Sequence, residues 1–179
     1  MKPTRPVKTP TILQMEALEC GAAALAMVLA HHGRWLPLEE LRLLCGVSRD
    51  GSQAVNLLKA ARSLGLEAKG QRREPSELAR VPVPAILFVN MNHFVVFEGV
   101  VKQGFRINDP AGGRRVVAAA EFDGMFTGIL LAFTPGANFQ RGGRPPRLLP
   151  RLLAFMRSIR FPLALVLLTG GLMAVFMLL

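Results

Sequence analysis

Apolar positions follow two different rhythms along this chain. In the first third they gather into runs that end at glycine; in the middle they come in short alternating bursts. Cys20 to His32 is apolar, rich in alanine and closed by Gly33, which predicts a helix with a glycine stop. Pro37 to Leu44 opens on proline and two glutamates and ends at Cys45-Gly46, as a short helix does. Ser52 is placed to cap a third helix, Gln53 to Leu64, which Gly65 ends. The period then changes. Glu67 to Arg72 alternates, Ala85 to Val89 follows a Pro-Val-Pro break, and His93 to Val101 (HFVVFEGVV) is rich in β-branched and aromatic residues. Gly104 to Asn108, Arg114 to Val117 and Gly128 to Phe133 complete a set of short strands. Helices first and strands after predict an α+β fold with an antiparallel sheet over residues 11–135. Residues 1–10 read as an N-terminal extension, and the Gly-, Pro- and Arg-rich stretch 136–160 as a linker.

The end of the chain has no rhythm at all. Phe161 to Leu179 is nineteen residues without a charge. At about 1.5 Å per residue, a helix of that length comes close to the roughly 30 Å of a bilayer's apolar core. A single transmembrane helix is therefore expected over 161–179. That the chain stops within this run reads as the front piece, or a truncated product, of a longer membrane protein.

Charge sharpens that expectation. Lys and Arg number 22 against 12 Asp and Glu, a net of +10. Through Asn138 the balance is 16 basic against 12 acidic residues, or +4; the other +6 is six arginines from Arg141 to Arg160 with no acid among them. Basic residues beside a span stay on the cytoplasmic side, which places the N-terminal domain in the cytoplasm. A nucleic-acid partner is not expected, because no aromatic platform is interleaved with the arginines. The basic, proline-rich N-terminus lacks the apolar run of a secretory signal. Two cysteines and three histidines exclude a disulfide scaffold and a four-cysteine zinc site, so no metal is expected.

The candidate chemistry is that of a cysteine nucleophile. Cys20 stands at the predicted start of a helix, where N–H groups and the helix dipole favour a thiolate. His93 opens the most apolar strand and is the best available base. Asp109, at the end of the following strand, can sit beside it to orient the imidazole. Gln14, six residues before Cys20, can aim its amide at a developing oxyanion beside the Cys20 backbone N–H. Residue types at these spacings are not specific by themselves.

The local motifs are more specific. LQMEALECGAAAL (Leu13 to Leu25), NHFVVFEG (Asn92 to Gly99) and INDPAGG (Ile107 to Gly113) resemble the double-glycine leader peptidases. These are papain-like cysteine peptidases at the front of peptide-exporting ABC transporters, also called bacteriocin-processing peptidases. The segment from Lys8 to Ser52 is most similar to exporters of peptides with nitrile-hydratase-like leaders. The resemblance implies a papain-like fold with N-terminal helices packed on an antiparallel sheet. It implies that Cys20 is the nucleophile, His93 the general base, Asp109 the orienter and Gln14 the oxyanion donor. It implies a precursor peptide whose leader ends in Gly-Gly or Gly-Ala, docked as an amphipathic helix. The partners it implies are the membrane and ATPase parts of an exporter, in a dimeric assembly. No GxxxxGK[ST] loop is present, so no cofactor is expected here, and ATP would act only through an ATPase absent from this sequence.

The leading expectation is thus a membrane-anchored cysteine endopeptidase facing the cytoplasm. The alternatives are a leader-docking domain that does not cut, and an inactive fragment. Cys45 is expected to be a buried structural thiol, His31 and His32 cationic residues closing a helix, and Met15 and Met27 packing residues.

Overall fold

The structure is a computed structural model that describes residues 4–49, 51–145, 160–162, 164–171, 173–174 and 177. The chain divides into two units, Met1–Arg144 and Pro145–Leu179. The first unit contains three helices in succession: α1 (Cys20–His31), α2 (Leu38–Leu44) and α3 (Ala54–Ser63). Strands β1 (Leu66–Arg72), β2 (Ala85–Val89), β3 (His93–Val101), β4 (Gly104–Asp109) and β5 (Gly113–Val117) follow. A short helix α4 (Ala119–Met125) then leads into β6 (Phe126–Pro135). The strands form one sheet in the order β1-β6-β2-β3-β4-β5, antiparallel throughout.

Two apolar clusters explain the strand sequences. Ile86, Phe94, Val96, Leu131 and Phe133 pack against the first three helices. Leu87, Val95, Phe97, Ile107 and Leu130 pack against Phe122 and Met125 of α4 and Leu78 of a 3-10 turn, Pro75–Arg80. The central strands are buried on both faces, which is why they read as continuous apolar runs. Helix α1 is apolar all round because it is covered on every side: Cys20 to Ala30 are all buried. Helix α4 is absent from the pattern because Gly124 and Asp123 are poor helix formers. Burial of Phe122 and Met125 forms it.

The residues before α1 are laid along the sheet. Val7 N–H donates to Glu98 O at 2.8 Å and Gln14 N–H to Pro110 O at 2.9 Å. The Glu98 carboxylate, 0% exposed, accepts from Thr9 N–H at 2.7 Å and Thr9 Oγ1 at 2.8 Å, and pairs with Arg114 at 2.8 Å. Where this strap crosses β3 the strand bulges at Gly99 (φ +124°), and a Cβ there would lie 2.8 Å from Pro6 Cα. At the far end, Gly136 N–H donates to Gly65 O and Trp35 N–H to Gly142 O, so the start of the expected linker is tied to the domain.

Four local expectations are corrected. Ser52 does not cap α3: the flanking residue is Gln53, and Ser52 Oγ is buried without a hydrogen bond among the described residues, its Cβ packed toward Gly21. His32 is not a cationic cap, because burial, His31 and Arg141 hold its pKa below the ordinary value. Met15 is exposed, on the outer side of the turn before Cys20, whereas Met27 is core. Among the described residues no helix is long and apolar enough to cross a membrane, so the single span expected over 161–179 is unsupported. Within the second unit, residues 160–162 and 164–171 are helical. Residues 173–174 and 177 are helical as well; the rest of that run, and linker residues 146–159, lie outside the described residues.

Candidate active site

Three elements meet at the thiol. Cys20 is the first residue of α1 and is 4% exposed. Gly21 follows because nothing larger fits: a Cβ there would come within 2.5 Å of Ser52 Cβ. His93 is the first residue of β3 and Asp109 the last of β4. The antiparallel register pairs Val96 with Asn108, which brings the two strand ends together. His93 Nε2–H donates to Asp109 Oδ1 at 2.7 Å. The other ring nitrogen is left for Cys20, which is hydrogen-bonded to the imidazole.

The charges follow from these contacts. Burial pushes the Cys20 thiol up, but hydrogen bonds from His93 and the Phe94 and Gly21 N–H groups, with the imidazolium charge, bring it below the ordinary value. The hydrogen bond to Asp109 raises His93 to about 9, with Cys20 adding to it and burial opposing. Burial raises Asp109, and the His93 hydrogen bond and the Ala111 N–H at 2.8 Å more than offset this. The lowered thiol and the raised imidazole both favour a thiolate–imidazolium pair, held beside the Asp109 carboxylate. Such a thiolate can attack a carbonyl, and such an imidazolium can protonate a leaving amine.

Gln14 is held at the edge of this group. Its backbone is tied to Pro110, directly after Asp109, and its Oε1 is buried with no hydrogen bond among the described residues. Cys45 is elsewhere, at the C-terminal end of α2. Sequence reasoning missed the supports: the Phe94 and Ala111 N–H groups, which carry no side-chain signal, and Thr9, Glu98 and Asn108. Asn108 Nδ2 donates to Thr9 Oγ1 at 3.0 Å and Thr11 Oγ1 to Asn108 Oδ1 at 3.1 Å, fixing the strand end that carries Asp109. A glutamate in the middle of an apolar strand was the available signal for this network.

A buried thiol hydrogen-bonded to an imidazole, on helices packed against an antiparallel sheet, defines a papain-like cysteine peptidase. Residues 8–138 match the Peptidase C39 family, and the chain belongs to it. It is 35% identical over 133 residues to the colicin V secretion/processing ATP-binding protein CvaB of Escherichia coli, covering 74% of this chain and 19% of the relative. It is 31% identical over 135 residues to the lactococcin-G-processing and transport ATP-binding protein LagD of Lactococcus lactis, covering 72% and 19%. The chain thus spans about a fifth of these relatives' length. A solved double glycine motif protease from an AMS/PCAT transporter, in complex with a leader peptide, is 54% identical with a TM-score of 0.72. That likeness covers 75% of this chain and 99% of the solved one. The peptidase domain of a Streptococcus ComA transporter, 24% identical with a TM-score of 0.68, shares the fold.

Proposed function

We propose that this chain is the cysteine endopeptidase of a peptide exporter, cutting precursor peptides after a leader that ends in Gly-Gly or Gly-Ala. The hydrogen-bonded series Cys20, His93, Asp109 at the N-terminus of α1 carries the reading. The 54% identity to a double glycine motif protease supports the substrate class.

Each residue then has a role. The Cys20 thiolate attacks the carbonyl carbon of the leader's last residue. The carbonyl π bond opens to an oxyanion, which accepts hydrogen bonds from the Cys20 N–H and the Gln14 amide. Gln14 suits this because its buried Oε1 has no partner among the described residues, and the amide can turn to present Nε2 as a donor. The oxyanion collapses to a thioester as the C–N bond breaks. His93 gives its proton to the departing amine, the new N-terminus of the cargo. Neutral His93 then takes a proton from water, whose hydroxide attacks the thioester. Thiolate leaves, and the leader departs as a carboxylic acid. Asp109 holds the ring with one nitrogen toward the thiol throughout.

The finer setting is an exporter of peptides with nitrile-hydratase-like leaders, with the domain on the cytoplasmic face. The charge-free run from Phe161 to Leu179 behind six arginines supports a membrane segment. Transport, ATP and a dimeric assembly would belong to the exporter's membrane and ATPase parts. The test is incubation of the full chain with leader peptides ending in Gly-Gly or Gly-Ala. Cutting after the second small residue, lost in Cys20→Ala, is the expected result. Tight binding without cutting would overturn the peptidase reading in favour of a docking domain.

A further inference from the structure

A buried charge lies between Gln14 and Cys20 that the chemistry above does not use. Glu19 directly precedes Cys20 and is 1% exposed. Its Oε2 accepts hydrogen bonds from the backbone N–H of Met15 at 2.8 Å and of Glu16 at 3.1 Å. Its Oε1 lies 2.8 Å from Nη1 of Arg42 on α2. A carboxylate leaves water at high cost unless it is paired and hydrogen-bonded, and Glu19 is both. What it orders is specific: the two peptide groups that directly follow Gln14. Gln14's own N–H is fixed to Pro110 O on the other side. The backbone that aims the amide is therefore gripped at both ends, once by the turn after Asp109 and once by Glu19.

We infer that Glu19 is a positioning residue whose carboxylate, neutralised by Arg42, holds the Met15 and Glu16 peptides so that the Gln14 amide meets the oxyanion. The inference rests on the proposed donor role of Gln14. Among the described residues the Glu19 carboxylate bonds Met15, Glu16 and Arg42, none of which takes part in the chemistry. Arg42 of α2 also lies 3.4 Å from Glu16 and so closes the turn from outside.

The experiment compares two reactions of the same thiol in the full 179-residue chain. Alkylation by iodoacetamide displaces iodide at a saturated carbon and forms no oxyanion, so it reports the thiolate and the fold. Leader-peptide cleavage needs the oxyanion donors as well. Glu19→Gln keeps the shape and one acceptor but removes the charge that Arg42 matches. Its kcat should fall about tenfold, with KM and the alkylation rate within about twofold, since removing one oxyanion donor outright costs on the order of a hundredfold or more. Equal losses in cleavage and alkylation, or an unchanged kcat, would overturn the inference. Arg42→Met, a change at a partly exposed residue, should repeat the pattern at about threefold and serves where Glu19→Gln folds poorly. Gln14→Ala separates the two claims. If it leaves kcat unchanged, the donor reading fails and the positioning role goes with it. If it slows cleavage, adding Glu19→Gln to it should change kcat by less than about twofold, and an additive further loss would overturn positioning alone.

Discussion

The two cysteines of this chain are both buried in one apolar cluster, and they have opposite chemistry. Cys20 opens a helix, where N–H groups point at the sulfur, and it faces an imidazole. Cys45 closes a helix, where the dipole is negative and the neighbours are apolar. Burial alone pushes Cys45 up to about 12. Burial acts on Cys20 in the same direction, and its hydrogen bonds reverse the result. Reactivity is therefore set by what each thiol touches rather than by how deeply it lies. Burial without donors keeps a thiol protonated, whereas donors at the sulfur favour the thiolate.

The largest expected effect breaks the comparison outright. Cys20→Ala should lower leader cleavage by more than about 10⁴-fold. Cys45→Ala should leave turnover within about twofold and cost about 1 kcal/mol of stability, read from paired cleavage assays and urea unfolding. Alkylation at neutral pH sharpens it: native Cys20 should react more than about a hundredfold faster than Cys45, which reacts only on unfolding. Peptide mapping after a timed iodoacetamide pulse gives both rates.

Asp109→Asn should reduce kcat by about tenfold to a hundredfold, and its pH profile carries the sign. With His93 at about 9, wild-type turnover falls as pH rises through about 9 and the imidazolium is lost. In the variant that fall should move down toward the ordinary 6.5. The same raised pKa lends the fold stability that is full below 6.5 and lost as pH rises through about 9. An unmoved alkaline limb would show that Asp109 does not set His93.

The smallest expected effect on catalysis lies in the strap. Glu98→Gln should cost about 2 kcal/mol of stability while kcat stays within about threefold. Burial raises the Glu98 carboxyl, but Arg114 and Thr9 hold it below 4.5 overall, so its contribution is present above 4.5 and lost as pH falls through its lower folded value. Thermal melts across the acid range check this; a variant as acid-stable as wild type would remove Glu98 from the account.

Strands β2 and β3 were legible to the residue, Ala85–Val89 and His93–Val101, because turn residues bound apolar runs too short for helices. Helix α1 was legible from its alanines and Gly33. The capping role of Ser52 was misread because its surroundings are set by Gly21, thirty-one residues earlier in the chain. The cationic reading of His32 failed in the same way, since Arg141 reaches it only through the fold.

The sequence by itself determined the elements, the change of period between them, and the motifs around Cys20, His93 and Asp109. These depend on neighbours a few residues apart, where periodicity and capping operate. The tertiary structure alone decided which thiol meets an imidazole, since Cys20 and His93 are joined by packing α1 on β3. It also decided that Glu19 and Glu98, two charges in apolar stretches, are buried and matched. Coulombic and hydrogen-bond energies depend on distance in space, and residues ten to a hundred positions apart acquire that distance only when the chain folds.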